Sequence, residues 1–241
     1  MKRTLPILAL SLGLAACSTS PGVERAPGAS FYERKEIAIE TADALAVQGP
    51  FKVMAFGNSE APKVTLRGPP EMVADTLVTV EDGTLSIRFI EGAEWQWNTG
   101  AGMHAFVSLP ALNSVALQGS GSVDVYSAKA ENFEAGTGGS GSITIHKLEA
   151  ENVQLGVGGS GSVTAGGTAT NAIYGVGGSG GVNAKGLRVA TAEIGVGGSG
   201  SIYADVSDTA KIGVGGSGRV DVVGGAKCTF DPSQASKIEC R

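Results

Sequence analysis

Residues 155–165 read Leu-Gly-Val-Gly-Gly-Ser-Gly-Ser-Val-Thr-Ala. In an extended chain Leu155, Val157, Val163 and Ala165 share one side while Gly156, Ser160, Ser162 and Thr164 share the other. That period of two belongs to a strand and not to a helix. The central Gly-Ser-Gly recurs, beginning at Gly119, Gly139, Gly159, Gly178, Gly198 and Gly216, with spacings of 20, 20, 19, 20 and 18. Two positions before each copy stand Leu117, Thr137, Val157, Val176, Val196 and Val214; four positions after its first glycine stand Val123, Ile143, Val163, Val182, Ile202 and Val220. Fixed offsets of this kind are the mark of a stacked repeat. They predict an all-β parallel solenoid with coils of about 20 residues, each strand pairing with its counterpart about 4.8 Å away along the axis.

Outward from the repeat, the composition agrees. The 241 residues include 38 glycines, and only 5% are aromatic although 42% are hydrophobic, which calls for a thin, repetitive core. Glycine permits a sharp corner and close backbone approach. Ser120, Ser140, Ser160, Ser179, Ser199 and Ser217 then form a column of hydroxyls at or near that corner. A flexible Gly/Ser linker would not hold Val and Ile at constant offsets. The net charge of −5, with Lys and Arg scattered, excludes a nucleic-acid binder.

The same alternation, less regular, runs through residues 35–39, 51–56, 63–66, 77–80, 85–90 and 105–109, with Asp82-Gly83 as a hairpin-like turn. Residues 31–118 therefore read as an irregular, wider beginning of the solenoid that hides its first open edge, and 119–227 as the regular repeats. Residues 228–241 close the other end. Cys228 and Cys240 are candidates for one disulfide there, because an exported chain meets an oxidising environment.

Export is read from the first residues. Lys2 and Arg3 precede an apolar run from Leu5 to Leu12, followed by Leu14-Ala15-Ala16-Cys17. The run is too short to span a bilayer, and the layout is that of a secretory signal covering residues 1–16. Its ending resembles a bacterial lipobox, which implies cleavage before Cys17 and acylation of that residue, palmitate being one such chain. Two or more acyl chains anchor a protein stably without a span. Ser18 after the cysteine implies, by the same resemblance, an outer-membrane lipoprotein of a Gram-negative envelope, facing periplasm or surface. Residues 17–30 read as the lipidated cysteine and a polar tether.

Taken together, the Val47-Gln-Gly-Pro-Phe-Lys-Val53 segment, Asp82-Gly-Thr-Leu-Ser-Ile87, Leu109-Pro-Ala-Leu-Asn-Ser-Val115 and the Gly-Ser-Gly units resemble a bacterial family, the head (GIN) domain of "putative autotransporter adhesins". The resemblance covers about residues 36–225. It implies a right-handed β-helix-like fold and a role in adhesion or at the envelope surface, with no established catalytic residues to carry over. The chain has no room for a translocator barrel, so it is not expected to be an autotransporter itself.

No motif supplies chemistry. Gly156-Val157-Gly158-Gly159-Ser160-Gly161 matches a dinucleotide pattern, but it recurs from Gly175, Gly195 and Gly213, and no helix follows any copy. Where calcium-binding β-helix repeats carry Asp, this chain has Ile143, Val163, Val182, Ile202 or Val220. Gly177-Gly178-Ser179-Gly180-Gly181 matches a nucleophile elbow without the strand-to-helix turn it needs. The histidines are His104 and His146; His146 lies on a strand's polar side and reads as solvent-facing. Asp124, Asp205 and Asp221 lie on the outward phase, and Asp205 and Asp221 could approach across neighbouring coils as a carboxylate pair. No catalytic residue, cofactor or metal ligand is assigned. Trp95 and Trp97, beside Gly100-Ala101-Gly102, either cover the end of the core or present indole faces to a sugar ring or protein partner.

The resulting expectation is a non-enzymatic, lipid-anchored envelope protein whose solenoid surface serves adhesion or protein contact. The alternatives are a carbohydrate-active β-helix enzyme acting on an acidic polysaccharide, and a structural or assembly factor of the envelope.

Overall fold

The computed structural model describes residues 32–93 and 102–241. Eight short strands come first: β1 (Glu33–Ala38), β2 (Ala44–Gln48), β3 (Lys52–Phe56), β4 (Lys63–Gly68), β5 (Thr76–Glu81), β6 (Thr84–Phe89), β7 (His104–Ser108) and β8 (Ser114–Gln118), with helix α1 (Pro70–Ala74) between β4 and β5. Five long strands follow: β9 (Ser122–Thr137), β10 (Ser142–Val157), β11 (Ser162–Val176), β12 (Gly181–Val196) and β13 (Ser201–Val214). The chain ends in β14 (Arg219–Val223), β15 (Lys227–Thr229), a 3-10 turn (Pro232–Lys237) and β16 (Ile238–Cys240). The whole is a β-solenoid of about six turns with coils of about 20 residues.

Each long strand is one coil. Along β10 the inward residues are Ile143, Ile145, Leu148, Val153, Leu155 and Val157. Alternation reverses at His146-Lys147 and again at Glu151-Asn152, and the glycine-rich corner at residues 158–161 turns the chain a third time. Every coil thus has three arms, for β10 residues 142–146, 147–151 and 152–157. Neighbouring coils pair in parallel, so that Val123, Ile143, Val163, Val182, Ile202 and Val220 form one continuous internal column. Leu117, Thr137, Val157, Val176, Val196 and Val214 form another. Both columns are buried. Successive corners are tied by hydrogen bonds such as Ser160 N to Gly139 O at 3.1 Å and Ser179 N to Gly159 O at 3.1 Å.

The glycines of the corner fall into two kinds. At Gly159 and Gly161 an added Cβ would collide with the carbonyl oxygens of Gly139 and Gly141, one coil back. At Gly156 it would meet nothing within 4 Å. Close approach of backbones, and not a left-handed φ, is what makes the first kind obligatory.

The amino-terminal strands do not stack in chain order. In the first-arm sheet the order is β1, β4, β7, β3, β9, and in the third-arm sheet β5, β6, β2, β8, β9. β3 therefore sits between β7 and β9, although some fifty residues separate it from β7. The outermost pairings, β1 with β4, β4 with β7 and β5 with β6, are antiparallel. Asp82 (φ 48°) and Gly83 (φ 75°) form the tight turn between β5 and β6 expected of Asp-Gly. Met72 and Val73 of α1 are buried against the end of the core. Among the described residues β1 is an edge strand, and its charged Glu33-Arg34-Lys35-Glu36 run discourages further pairing.

At the carboxyl end Cys228 and Cys240 are disulfide-bonded, and β16 adds a last parallel rung on β14. Lys237 Nζ donates to Gly216 O at 2.6 Å, filling the place that a further coil's corner N–H would take. Gln234 Oε1 likewise accepts from Val214 N at 2.9 Å. Residues 31–241 form one unit with its own core.

Candidate functional site

The inward side chains of the coils are buried against one another, and the side chains open to a partner lie on the outward faces. On the first arm Phe56, at the end of β3, stacks on Tyr126 of β9 with ring centroids 4.8 Å apart and planes 6° from parallel. Tyr126 in turn stacks on His146 of β10 at 5.1 Å and 23°. Phe56 is 36% and Tyr126 43% exposed, so the column faces solvent. His146 Nε2 lies 3.5 Å from Asp124 Oδ1, one coil back. His146 is solvent-facing, as its strand phase predicts, and it ends an aromatic stack that the sequence reading missed. Three rings brought onto adjacent rungs from residues 56, 126 and 146 give a preorganised apolar platform edged by a carboxylate.

Where the second arm meets the third, Asn132, Asn152, Asn171 and Thr191 form a hydrogen-bonded ladder. Asn152 Nδ2 donates to Asn132 Oδ1 (2.9 Å), Asn171 Nδ2 to Asn152 Oδ1 (2.9 Å), and Thr191 Oγ1 to Asn171 Oδ1 (2.8 Å). Beside it runs an open groove of about 310 Å³ lined by Asn132, Asn152, Asn171, Glu134, Gln154 and Ile173. The corner serines are exposed, and the side-chain ladder runs along the asparagines instead. Their spacing of 20 and 19 residues was available in the sequence.

Of the three aspartates on these strands, Asp124 pairs with His146 and Asp221 with two cations, whereas Asp205 Oδ1 is buried without a hydrogen-bond partner among the described residues. Asp221 stands in register with Tyr203, and Asp205 with Val223, so they are offset by two residues along neighbouring strands. The Asp221 side chain is 9% exposed and held by Lys185 Nζ at 2.7 Å and Arg241 Nη2 at 3.3 Å. Two cations on one nearly buried carboxylate make a structural clamp between the last coils and the terminus. Inside the core, the Tyr174 hydroxyl has no hydrogen-bond partner among the described residues. Burial first, and the Asp205 carboxylate second, push it well above the ordinary tyrosine range, so it stays protonated. His104 is held below its ordinary value, by partial burial first and then by Lys52 and Arg67.

Among the described residues no group of three or more His, Cys, Asp or Glu is placed to hold a metal ion. No helix among them is long and apolar enough to cross a membrane. Cys17, Trp95 and Trp97 lie outside the described residues.

Residues 43–226 match the family model described as "Putative auto-transporter adhesin, head GIN domain". The chain belongs to this GIN-domain family. Solved structures share the GIN-domain architecture. A "putative lipid binding protein" from Parabacteroides distasonis ATCC 8503 superposes with a TM-score of 0.67 at 20% identity, covering 84% of this chain and 93% of its own. A "putative adhesin" from Bacteroides fragilis NCTC 9343 gives 0.69 at 19% identity, covering 87% and 91%. Another, from Parabacteroides merdae ATCC 43184, gives 0.66 at 16% identity, covering 88% and 95%. No curated protein matches the chain. At these identities the structures establish the common fold. The match places the GIN domain over the short strands as well as the repeats, in agreement with the resemblance read from the sequence segments.

Proposed function

We propose that this chain is a non-enzymatic, lipid-anchored protein of the bacterial cell envelope whose solenoid presents an outward face for adhesion. Family membership and the adhesin descriptions of its structural neighbours support the adhesion reading. The single observation that carries it is the exposed Phe56–Tyr126–His146 stack on a rigid sheet whose interior is filled. Partly exposed rings held on a rigid sheet offer contact area to a partner at small entropic cost. The anchor rests on the lipobox-like residues before Cys17, and an outer-membrane location on Ser18 after it. Trp95 and Trp97 are proposed as a second contact point. Catalysis is left out because Asp221 is neutralised by Lys185 and Arg241.

The test compares cells carrying the parent chain, the Phe56→Ala/Tyr126→Ala double variant and the Trp95→Ala/Trp97→Ala double variant, each confirmed folded. Adherence to host matrix or to neighbouring cells should fall on the order of tenfold in the first, the loss of two aromatic contacts. Unchanged adherence in both variants discards the adhesion face.

A further inference from the structure

One column on the first arm departs from the solenoid's rule. In register from the amino-terminal edge it carries Arg34, Arg67, His104, Lys52, Ser122, Ser142, Ser162, Gly181, Ser201 and Arg219. From β9 to β13 the coils keep this position small, with the single Arg219 beyond them, whereas four cationic-type residues precede them on consecutive rungs about 4.8 Å apart. The out-of-order stacking of β4, β7 and β3 is what gathers residues 67, 104 and 52. Like charges directly opposite one another destabilise a sheet. Arg34 is paired with Glu36. Among the described residues, Arg67, Lys52 and the exposed Lys63 on the same face have no acidic partner.

The next column of this face is apolar beside His104 and Lys52, while Thr65 stands in it on β4 and Glu36 on β1. Met54 and Phe106 are half-buried beside Lys52 and His104, and the exposed Phe56 follows at the end of β3. In the outward phase the neighbouring anions are Glu36, taken by Arg34, and Asp124, beside His146; Glu33 lies on β1 in the opposite phase. A cationic row bordered by an apolar row, on a chain of net charge −5, is complementary to an acidic amphiphile interface and not to an acidic solute alone. The row also lies on the rungs next to β1, the strand that follows the tether. The chain from Cys17 to Tyr32 can span at most about 50 Å by covalent geometry.

We propose that Arg67, His104 and Lys52, with Met54 and Phe106 beside them, form a docking face for anionic phospholipid headgroups, laying this end of the solenoid on the membrane that holds the chain and leaving the Phe56–Tyr126–His146 stack clear of it. The cations take the phosphate oxygens and the apolar row enters the interface. This deepens the proposed membrane attachment and rests on it for the identity of the membrane. An approaching phosphate also opposes the effect of Lys52 and Arg67 on His104, favouring its protonated form.

The test uses the unacylated chain of residues 18–241 with vesicles of pure phosphatidylcholine, or with about one third phosphatidylglycerol. Cosedimentation is expected with the acidic vesicles alone, and is lost at about 0.5 M salt. Lys52→Ala/Arg67→Ala should weaken it on the order of 20-fold, about fivefold for each cation. Lys129→Ala/Lys211→Ala, with the same change of charge elsewhere, should leave it unaltered, and melting curves show that both variants are folded. Equal binding to both vesicles, equal loss in both variants, or no binding at all overturns the proposal. So does a His104 resonance that responds to inorganic phosphate while the acidic vesicles bind nothing. Palmitate labelling of Cys17 reads the anchor separately, so failure of one reading is not mistaken for failure of the other.

Discussion

At the residue scale the corner glycines separate into those the fold requires and those it merely carries. Gly159 has the Gly139 carbonyl where its Cβ would be, and neither backbone can yield without breaking the register of two coils. Gly156 points into open space. Gly159→Ala should therefore cost about 1–3 kcal/mol, the range for forcing atoms into a packed region. Gly156→Ala should be neutral or gain about 0.5–1 kcal/mol, since glycine in a strand interior loses more chain entropy than alanine. Equilibrium unfolding of the two variants beside the parent decides it; equal losses would show that both columns are held by contacts. The sequence marks both positions as glycine and cannot tell them apart, because the distinction lies in the carbonyl one coil away.

At the element scale, legibility follows repetition. The coils from β9 to β13 could be read because six copies place aliphatic residues at the same offsets. β2, β8 and α1 could not: each occurs once, and two-residue alternation determines which side faces inward without naming the neighbouring strand. The insertion of β3 between β7 and β9 is invisible for that reason, and with it the stack of Phe56 on Tyr126 and the gathering of Arg67, His104 and Lys52. The Asn132–Asn152–Asn171 ladder stands in the sequence as a spacing of 20 and 19 residues, but the corner serines share that period, and spacing alone does not say which column bonds to itself. The closing element was legible from its two cysteines. Its disulfide holds β16 on the last coil by joining residues 12 apart in the chain. Cys228→Ser/Cys240→Ser should lower the unfolding free energy by on the order of 3 kcal/mol, read by denaturant titration. A loss confined to a few tenths would mean that Gln234, Lys237 and the Arg241–Asp221 pair hold the cap unaided.

At the scale of the whole molecule, each coil touches chiefly its two neighbours, so stability is close to a sum of coil and interface contributions. The corner hydrogen bonds, the internal columns and the outward ladders all repeat from coil to coil, which makes the coils interchangeable in principle. The two proposed surfaces, the aromatic stack and the cationic row, lie where residues depart from the repeat. The most direct measurement is removal of one complete coil, residues 142–161, which joins Gly141 to Ser162 in the place of Ser142 and keeps every column in register. A shortened chain with a strand-type circular dichroism spectrum and one cooperative melting transition is the predicted result. Loss of that transition, with an unfolded spectrum, would contradict the stacking of equivalent coils on which the fold and both proposed surfaces depend.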